Sequence, residues 1–237
     1  MTYEPRSVFI TGASSGIGFA VAQAFLDAGD RVATLSRSGK GPEGALNLAG
    51  SVACAADVDA AFTAAEEAHG PVTVLVANAG ITRDTLLMRM SEEDWDDVLA
   101  TNLTGVQRAA RRAITGMVRA RTGRIIGISS VVGTMGSPGQ VAYAAAKSGM
   151  IGLVRSITRE VGGRGITANV VAPGFIDTAM TQALPEALVA DYKKRIPAGR
   201  FGQVEDVVSA VTFLASPQAA YITGAVLPVD GGIGMGH

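Results

Sequence analysis

Cysteine, tryptophan and histidine are scarce in this sequence of 237 residues, at one, one and two copies. The single cysteine, Cys54, excludes an internal disulfide and any cysteine-cluster metal site. It lies in the apolar run SVACAA and is expected as a small buried hydrophobe. His69 and His237 are too few for a zinc hydrolase or a histidine-based triad, so no metal is expected. Charge is also sparse, at 17% of residues with a net value of −1, which gives no electrostatic reason to propose nucleic acid or an anionic membrane as partner. No uninterrupted apolar run reaches the length that spans a bilayer. The amino end enters an apolar segment by Val8, leaving no room for a signal peptide, and a cytoplasmic protein is expected.

Hydrophobic residues, by contrast, make up 48% of the chain, as an extensively buried sheet requires. Short runs rich in β-branched residues at 8–10, 32–35, 52–55, 72–77, 124–128, 168–172 and 225–229 are too short for helices and predict strands. Amphipathic stretches beginning near Gly16, Asp59, Ser91, Gln140 and Val204 predict the helices between them. Ser91 followed by Glu92, Glu93 and Asp94 sets a capping oxygen and negative charge at the positive end of a helix dipole. Strand and helix in alternation predict an α/β fold: a doubly wound, seven-stranded parallel sheet, covered on both faces, in one domain over 1–237. The glycine-rich stretch 38–50 reads as a loop, and 177–202 as an irregular excursion with a short helix at 185–194.

The first strand runs into TGASSGIG, residues 11–18. Gly12, Gly16 and Gly18 permit a tight turn, close approach of backbone N–H groups to a pyrophosphate and close helix packing, with Ser14, Ser15 and Ile17 completing the loop. The motif has no GK[ST] ending, which argues against a nucleoside triphosphate. The second strand ends in Ser36 and Arg37 with no acid, a pattern that favours the 2′-phosphate of NADP over the free ribose of NAD. Asp57 is expected at a strand end, and Asn78, Ala79 and Gly80 just beyond the fourth strand. Ser129 and Ser130 end the fifth and Pro173 and Gly174 the sixth, on the side where open parallel sheets bind ligands. Asn102 falls inside a helical pattern that disfavours it, which points to a compensating interaction.

Tyr143 and Lys147, four residues apart, share one face of the helix after Gln140. A phenol titrates near ~10 in water, and a neighbouring ammonium is expected to lower that value toward neutrality. The same helix holds Ala142, Ala144, Ala145, Ala146, Ser148, Gly149 and Gly152, a face that another backbone can approach closely.

TGASSGIG, the NAG at 78–80, Asn102, Ser130, Tyr143, Lys147 and PGFIDT at 173–178 resemble the short-chain dehydrogenase/reductase family, in that family's order along the whole chain. ITRDTLLMRM, RIIGISSVVGTMGSPGQVAYAAAKSG, NVVAPGFIDTAMT and PVDGGIGMGH resemble its bacterial 3-oxoacyl-carrier-protein reductases, with GIGMGH closest to the actinobacterial, mycolic-acid branch. The resemblance implies NADPH-dependent reduction of a 3-oxoacyl thioester to the (3R)-3-hydroxyacyl thioester in fatty acid synthesis. In it Tyr143 would be the general acid and Lys147 would bind the nicotinamide ribose and lower the phenol pKa. Ser130 would hold the substrate oxygen, and Asn102 a helix bend and a water that reprotonates Lys147. Ile176 and Thr178 would meet the carboxamide, Asp57 and Val58 the adenine, and Asn78 the adenosine ribose. Arg121 and Arg164 would flank the active-site entrance and dock the acidic acyl carrier protein, and the assembly would be a homotetramer. Two positions depart from the pattern: Ala77 replaces an asparagine, and Met135 stands where mycolic-pathway relatives carry a larger aromatic. Reduction of a coenzyme A thioester, a polyketide or a small carbonyl remains open, as does, more distantly, a dinucleotide sensor without turnover.

Overall fold

The computed structural model describes residues 4–178, 181 and 186–235. Seven parallel strands form one sheet in the order β3-β2-β1-β4-β5-β6-β7. They are β1 (Ser7–Thr11), β2 (Arg31–Ser36), β3 (Leu46–Ala49), β4 (Val74–Ala77), β5 (Gly123–Ile128), β6 (Ile166–Pro173) and β7 (Val226–Val229). The chain builds outward from β1 to β3, then returns to β4 and builds the other way. A crevice therefore opens between the carboxyl ends of β1 and β4, where such sheets bind ligands.

All of β1, SVFIT, is buried, because both sheet faces are covered and every second residue faces one layer or the other. Phe9, Leu75, Ile125 and Val170 face α2 (Ala55–His69), α4 (Gly105–Ala120) and α6 (Val141–Val161). Val8, Ile10, Val76 and Ile126 face α1 (Gly16–Asp27) and the last long helix, Val204–Ala215. Phe9 and Phe62 stack at 4.1 Å on the first side, and burying a side chain of that size contributes about 2 kcal/mol.

Three local expectations are corrected. The run 52–55 is not a strand. The edge strand is Leu46–Ala49, inside the stretch read as a loop, and α2 starts at Ala55, four residues before the expected Asp59. An edge strand packs on one side only and can form from a sequence as mixed as LNLA, whereas SVACAA is the lead into an alanine-rich helix. Cys54 is therefore the exposed N-cap of α2 and not a core residue.

The pattern after Ser91 is not one helix. α3 (Glu92–Leu99), capped by Ser91 Oγ accepting from Asp94 N, passes through a π-helical turn, Ala100–Thr104, into α4. A four-residue helix, α5 (Val132–Met135), precedes α6. The expected short helix is α7 (Glu186–Arg195), with Pro185 outside the described residues, and Val204–Ala215 is α8. No helix among the described residues is long and apolar enough to cross a membrane.

Candidate active site

The carboxyl end of β1 meets α1 through two glycines that tolerate no side chain. A Cβ on Gly12, where φ is +74°, would lie 2.6 Å from Ala79 Cα, and one on Gly18 would overlap the Gly12 carbonyl and the Asn78 amide. Asn78 Nδ2 donates to the Thr11 and Gly12 carbonyls at 3.1 and 2.9 Å, and Thr11 Oγ1 accepts from the amides of Asn78 and Ala79, both at 3.1 Å. Asn78, expected at the ribose, thus spends its amide donors bracing the glycine loop.

Gly16, at φ +58°, faces open space bounded only by Thr178 Cγ2 at 3.9 Å. Ser15 is extended and makes no capping bond, and the first turn of α1 holds no acid, so the helix amino end presents unclaimed N–H groups. Ser14 and Ser15 are exposed beside it and Ile17 is half-buried. These features fit a dinucleotide pyrophosphate. Thr178, Ile176 and Gly174 line the opposite side: Thr178 N donates to Thr181 Oγ1 at 2.9 Å, and Ile176 turns its side chain into the core while its backbone bridges Gly202. Gly174 packs so closely on Asp230 that a Cβ would lie 2.8 Å from its Cα, and the Pro173 carbonyl accepts from Val131 N at 3.0 Å.

At the adenosine end, Arg37 is exposed just past β2 and makes no ion pair among the described residues. Asp57 and Val58 are not at a strand end. Both lie in the first turns of α2, where Asp57 Oδ2 accepts from Ser51 N at 2.8 Å and Val58 is buried in the core with its amide bonded to Cys54 O at 3.2 Å. The residues that β3 delivers past its carboxyl end are Gly50, Ser51 and Val52, which the misread strand concealed.

Beyond β4 and β5 the reacting groups converge. Asn102, fully buried in the π turn, clasps Ile81: its Oδ1 accepts from Ile81 N and its Nδ2 donates to Ile81 O, each at 2.8 Å. The side chain that the resemblance assigned to a water is thus engaged at both ends by the Ile81 main chain. A Cβ on Gly80 would stand 3.3 Å from Asn102 Oδ1 and 3.6 Å from Lys147 Nζ, so these groups share one small space. Lys147 Nζ donates to Ile128 O at 2.7 Å and lies 5.4 Å from the Tyr143 ring centroid. Ser129 Oγ donates to Lys147 O at 3.0 Å, Ser148 Oγ donates to Gly133 O, and together they pin α6 to the end of β5.

Burial sets the electrostatics. It pulls Lys147 down to about 8, and it pushes Tyr143 above its ordinary value. The Ser130 hydroxyl, in hydrogen-bonding contact with the phenol, opposes that rise, and the Asp84 carboxylate adds to it. The expected lowering of the phenol is thus reversed, because desolvation is the largest influence on it and the Lys147 ammonium is engaged by Ile128 O.

A phenol and an ammonium on one helix, a serine on the adjoining strand end and a glycine loop over the switch point belong to one known arrangement. The family model described as enoyl-(acyl carrier protein) reductase matches residues 12–234. The chain is 51% identical over 235 residues to 3-oxoacyl-[acyl-carrier-protein] reductase MabA of Mycobacterium avium, covering 99% of this chain and 92% of the relative. It is 46% identical over 243 residues to 3-oxoacyl-[acyl-carrier-protein] reductase FabG of Vibrio cholerae, covering 99% and 100%. The chain belongs to the short-chain dehydrogenase/reductase family.

In this short-chain dehydrogenase/reductase, two expected docking residues lie away from the site. Arg121, in the left-handed region at φ 53°, and Arg164 immediately precede β5 and β6, whereas Ser130 follows β5. At about 3.3 Å per residue, six residues of β5 separate Arg121 from the catalytic edge by on the order of 20 Å. They do not flank the entrance of their own protomer. Met135 closes α5 at the mouth, with its sulfur 3.8 Å from where a Cβ on Gly234 would sit. Asp84 and Gln140, bonded to each other beside Tyr143, were missed by sequence reasoning. For Gln140 a signal was available, since Gln140, Tyr143 and Lys147 recur at helical spacing.

Proposed function

We propose that this protein reduces a 3-oxoacyl thioester to the (3R)-3-hydroxyacyl thioester with NADPH, in fatty acid biosynthesis. The observation that carries the reading is Ser130, Tyr143 and Lys147 meeting at the sheet's carboxyl edge, in a chain about half identical over its whole length to relatives named for that reaction. The family model's description names a different reduction, of an enoyl group, and the relatives matched over 99% of this chain carry more weight.

The Ser130 hydroxyl and the Tyr143 phenol both donate to the substrate carbonyl oxygen, orienting it and stabilising charge that develops there. When bound, the dinucleotide supplies the hydride. Tyr143, which carries its proton near neutrality, gives it to the oxygen as that charge forms. Lys147 holds the nicotinamide ribose hydroxyls, and Asn102 fixes the loop that shapes the pocket. Arg37, with no acid beside it, favours the 2′-phosphate of NADPH.

An acyl carrier protein presents the substrate, in the cytoplasm, and the protein works as a homotetramer. Arg121 and Arg164 then serve a carrier only at the mouth of a neighbouring protomer.

The test is loss of NADPH absorbance with acetoacetyl thioesters of carrier protein and of coenzyme A, beside NADH and beside Tyr143→Phe. We expect turnover with NADPH, weak turnover with NADH, and a loss of about 10²–10⁴-fold in the variant with dinucleotide binding retained. Equal rates on both thioesters would transfer the assignment to coenzyme A substrates. No turnover of either, with NADPH bound, would reject it.

A further inference from the structure

The segment after β4 carries no helix longer than one 3-10 turn, Leu87–Arg89, and exposes Leu86, Leu87 and Met88 at the edge that holds Tyr143. Such a segment needs an anchor, and the anchor is next to the catalytic tyrosine. Gln140 Nε2 donates to both carboxylate oxygens of Asp84, each at 3.1 Å, and Thr85 N donates to Gly139 O at 2.9 Å. Gln140 is the N-cap of α6, and its carbonyl accepts from Ala144 N at 2.8 Å. Gln140, Tyr143 and Lys147 fall at i, i+3 and i+7 on that helix, one above another on one face. The carboxylate is thus fixed at the turn below the phenol.

From these contacts we propose that Asp84 is a positioning residue for Tyr143: through Gln140 it ties the 82–90 segment to the amino end of α6 and sets a carboxylate at the turn below the phenol. The inference rests on the reductase reading for its role in turnover, but not for its electrostatics.

The other groups packed around the phenol leave that role to Asp84. Ser130 comes from the end of β5 and is uncharged. Ile81, Met90, Trp95, Leu99 and Leu103 are apolar and pack with Tyr143 against the buried Val98, Ala142 and Ala146. Arg83, the nearest base of the segment, is drawn away to Asp94 and Asp97 on α3 at 3.4 and 3.5 Å. Lys147, on α6 itself, is the one opposite charge close to the ring among the described residues, and it is held by Ile128 O. The effect of Asp84 on the phenol has the matching direction, upward, and adds to that of burial.

Charge and tether separate by substitution. Asp84→Asn keeps an acceptor for Gln140 and removes the charge, Gln140→Leu keeps the charge and removes the tether, and Asp84→Ala removes both. Tyrosinate absorbance against pH, with the Tyr143→Phe titration subtracted to remove the other three of four tyrosines, reads the phenol directly and needs no substrate. We expect its midpoint to fall by on the order of half a pH unit in Asp84→Asn and Asp84→Ala and to stay nearer wild type in Gln140→Leu. In turnover, the alkaline limb of kcat/KM for reduction should move to lower pH with the same two variants. The drop in kcat/KM at neutral pH should be larger for Gln140→Leu and Asp84→Ala, about tenfold, than for Asp84→Asn. An unmoved midpoint in Asp84→Asn, or a Gln140→Leu enzyme with wild-type kcat/KM, would overturn the proposal. If the wild type turns over neither thioester while the midpoint still shifts, the electrostatic inference stands and the reductase reading fails.

Discussion

Lys147 is only 3% exposed and has one hydrogen-bond partner, a carbonyl, so its charge is held where water cannot solvate it. Between its ordinary 10.5 and about 8 lies a cost of about 3 kcal/mol for the charged form. From about pH 8 to 10.5 the unfolded chain holds a proton that the folded chain has released, so stability rises with pH through that window and the cost is present in full below it. Lys147→Met should therefore unfold later in urea than wild type at pH 7, by about 1–2 kcal/mol after the loss of the bond to Ile128 O is offset. The difference should shrink by pH 9.5, and turnover should be absent throughout. A variant less stable than wild type at pH 7 would show that the ammonium is better accommodated than its surroundings imply. The catalytic pair was legible from the sequence because spacing on a helix is local information. The direction of the tyrosine's shift was not, because it depends on how much of the molecule closes over the ring.

The π turn shows what an element contributes that its residues alone do not. One extra residue in the turn between α3 and α4 brings Asn102 to face Ile81, and the two 2.8 Å bonds hold the strand-end loop against that turn. Asn102→Ala should cost about 1–3 kcal/mol, read as a lower urea midpoint, since it leaves backbone donor and acceptor without partners. Asn102→Asp, which keeps the acceptor but loses the donor, should fall between; equal stability of Asn102→Ala and wild type would show that the clasp is dispensable. Strongly apolar central strands were legible at this scale, and so were the helix starts at Gly16 and Ser91. The edge strand Leu46–Ala49 was not, because one-sided packing leaves little pattern to read, and Asp57, expected at a strand end, lies instead in the first turn of α2.

Which edge of the sheet a loop occupies is a property of the whole molecule, and this is why Arg121 and Arg164 could be matched to a family pattern yet misplaced relative to the site. Assembly belongs to the same scale. Gly149 and Gly152 both lie on α6, but a Cβ on Gly149 would meet Leu103 at 2.9 Å, whereas one on Gly152 would meet nothing within 4 Å. Gly152→Asp therefore spares the protomer's fold and tests the proposed association alone. We expect a smaller species in sedimentation with an unchanged circular dichroism spectrum; an unchanged sedimentation coefficient would exclude this face from the interface.

The exposed N-cap of α2 has a practical consequence. Cys54 is the one thiol in the sequence, and it stands just past the carboxyl end of β3, on the edge shared with the glycine loop. A maleimide fluorophore would attach to a single known position without any engineering of the chain, turning the protein into its own reporter of nucleotide titrations.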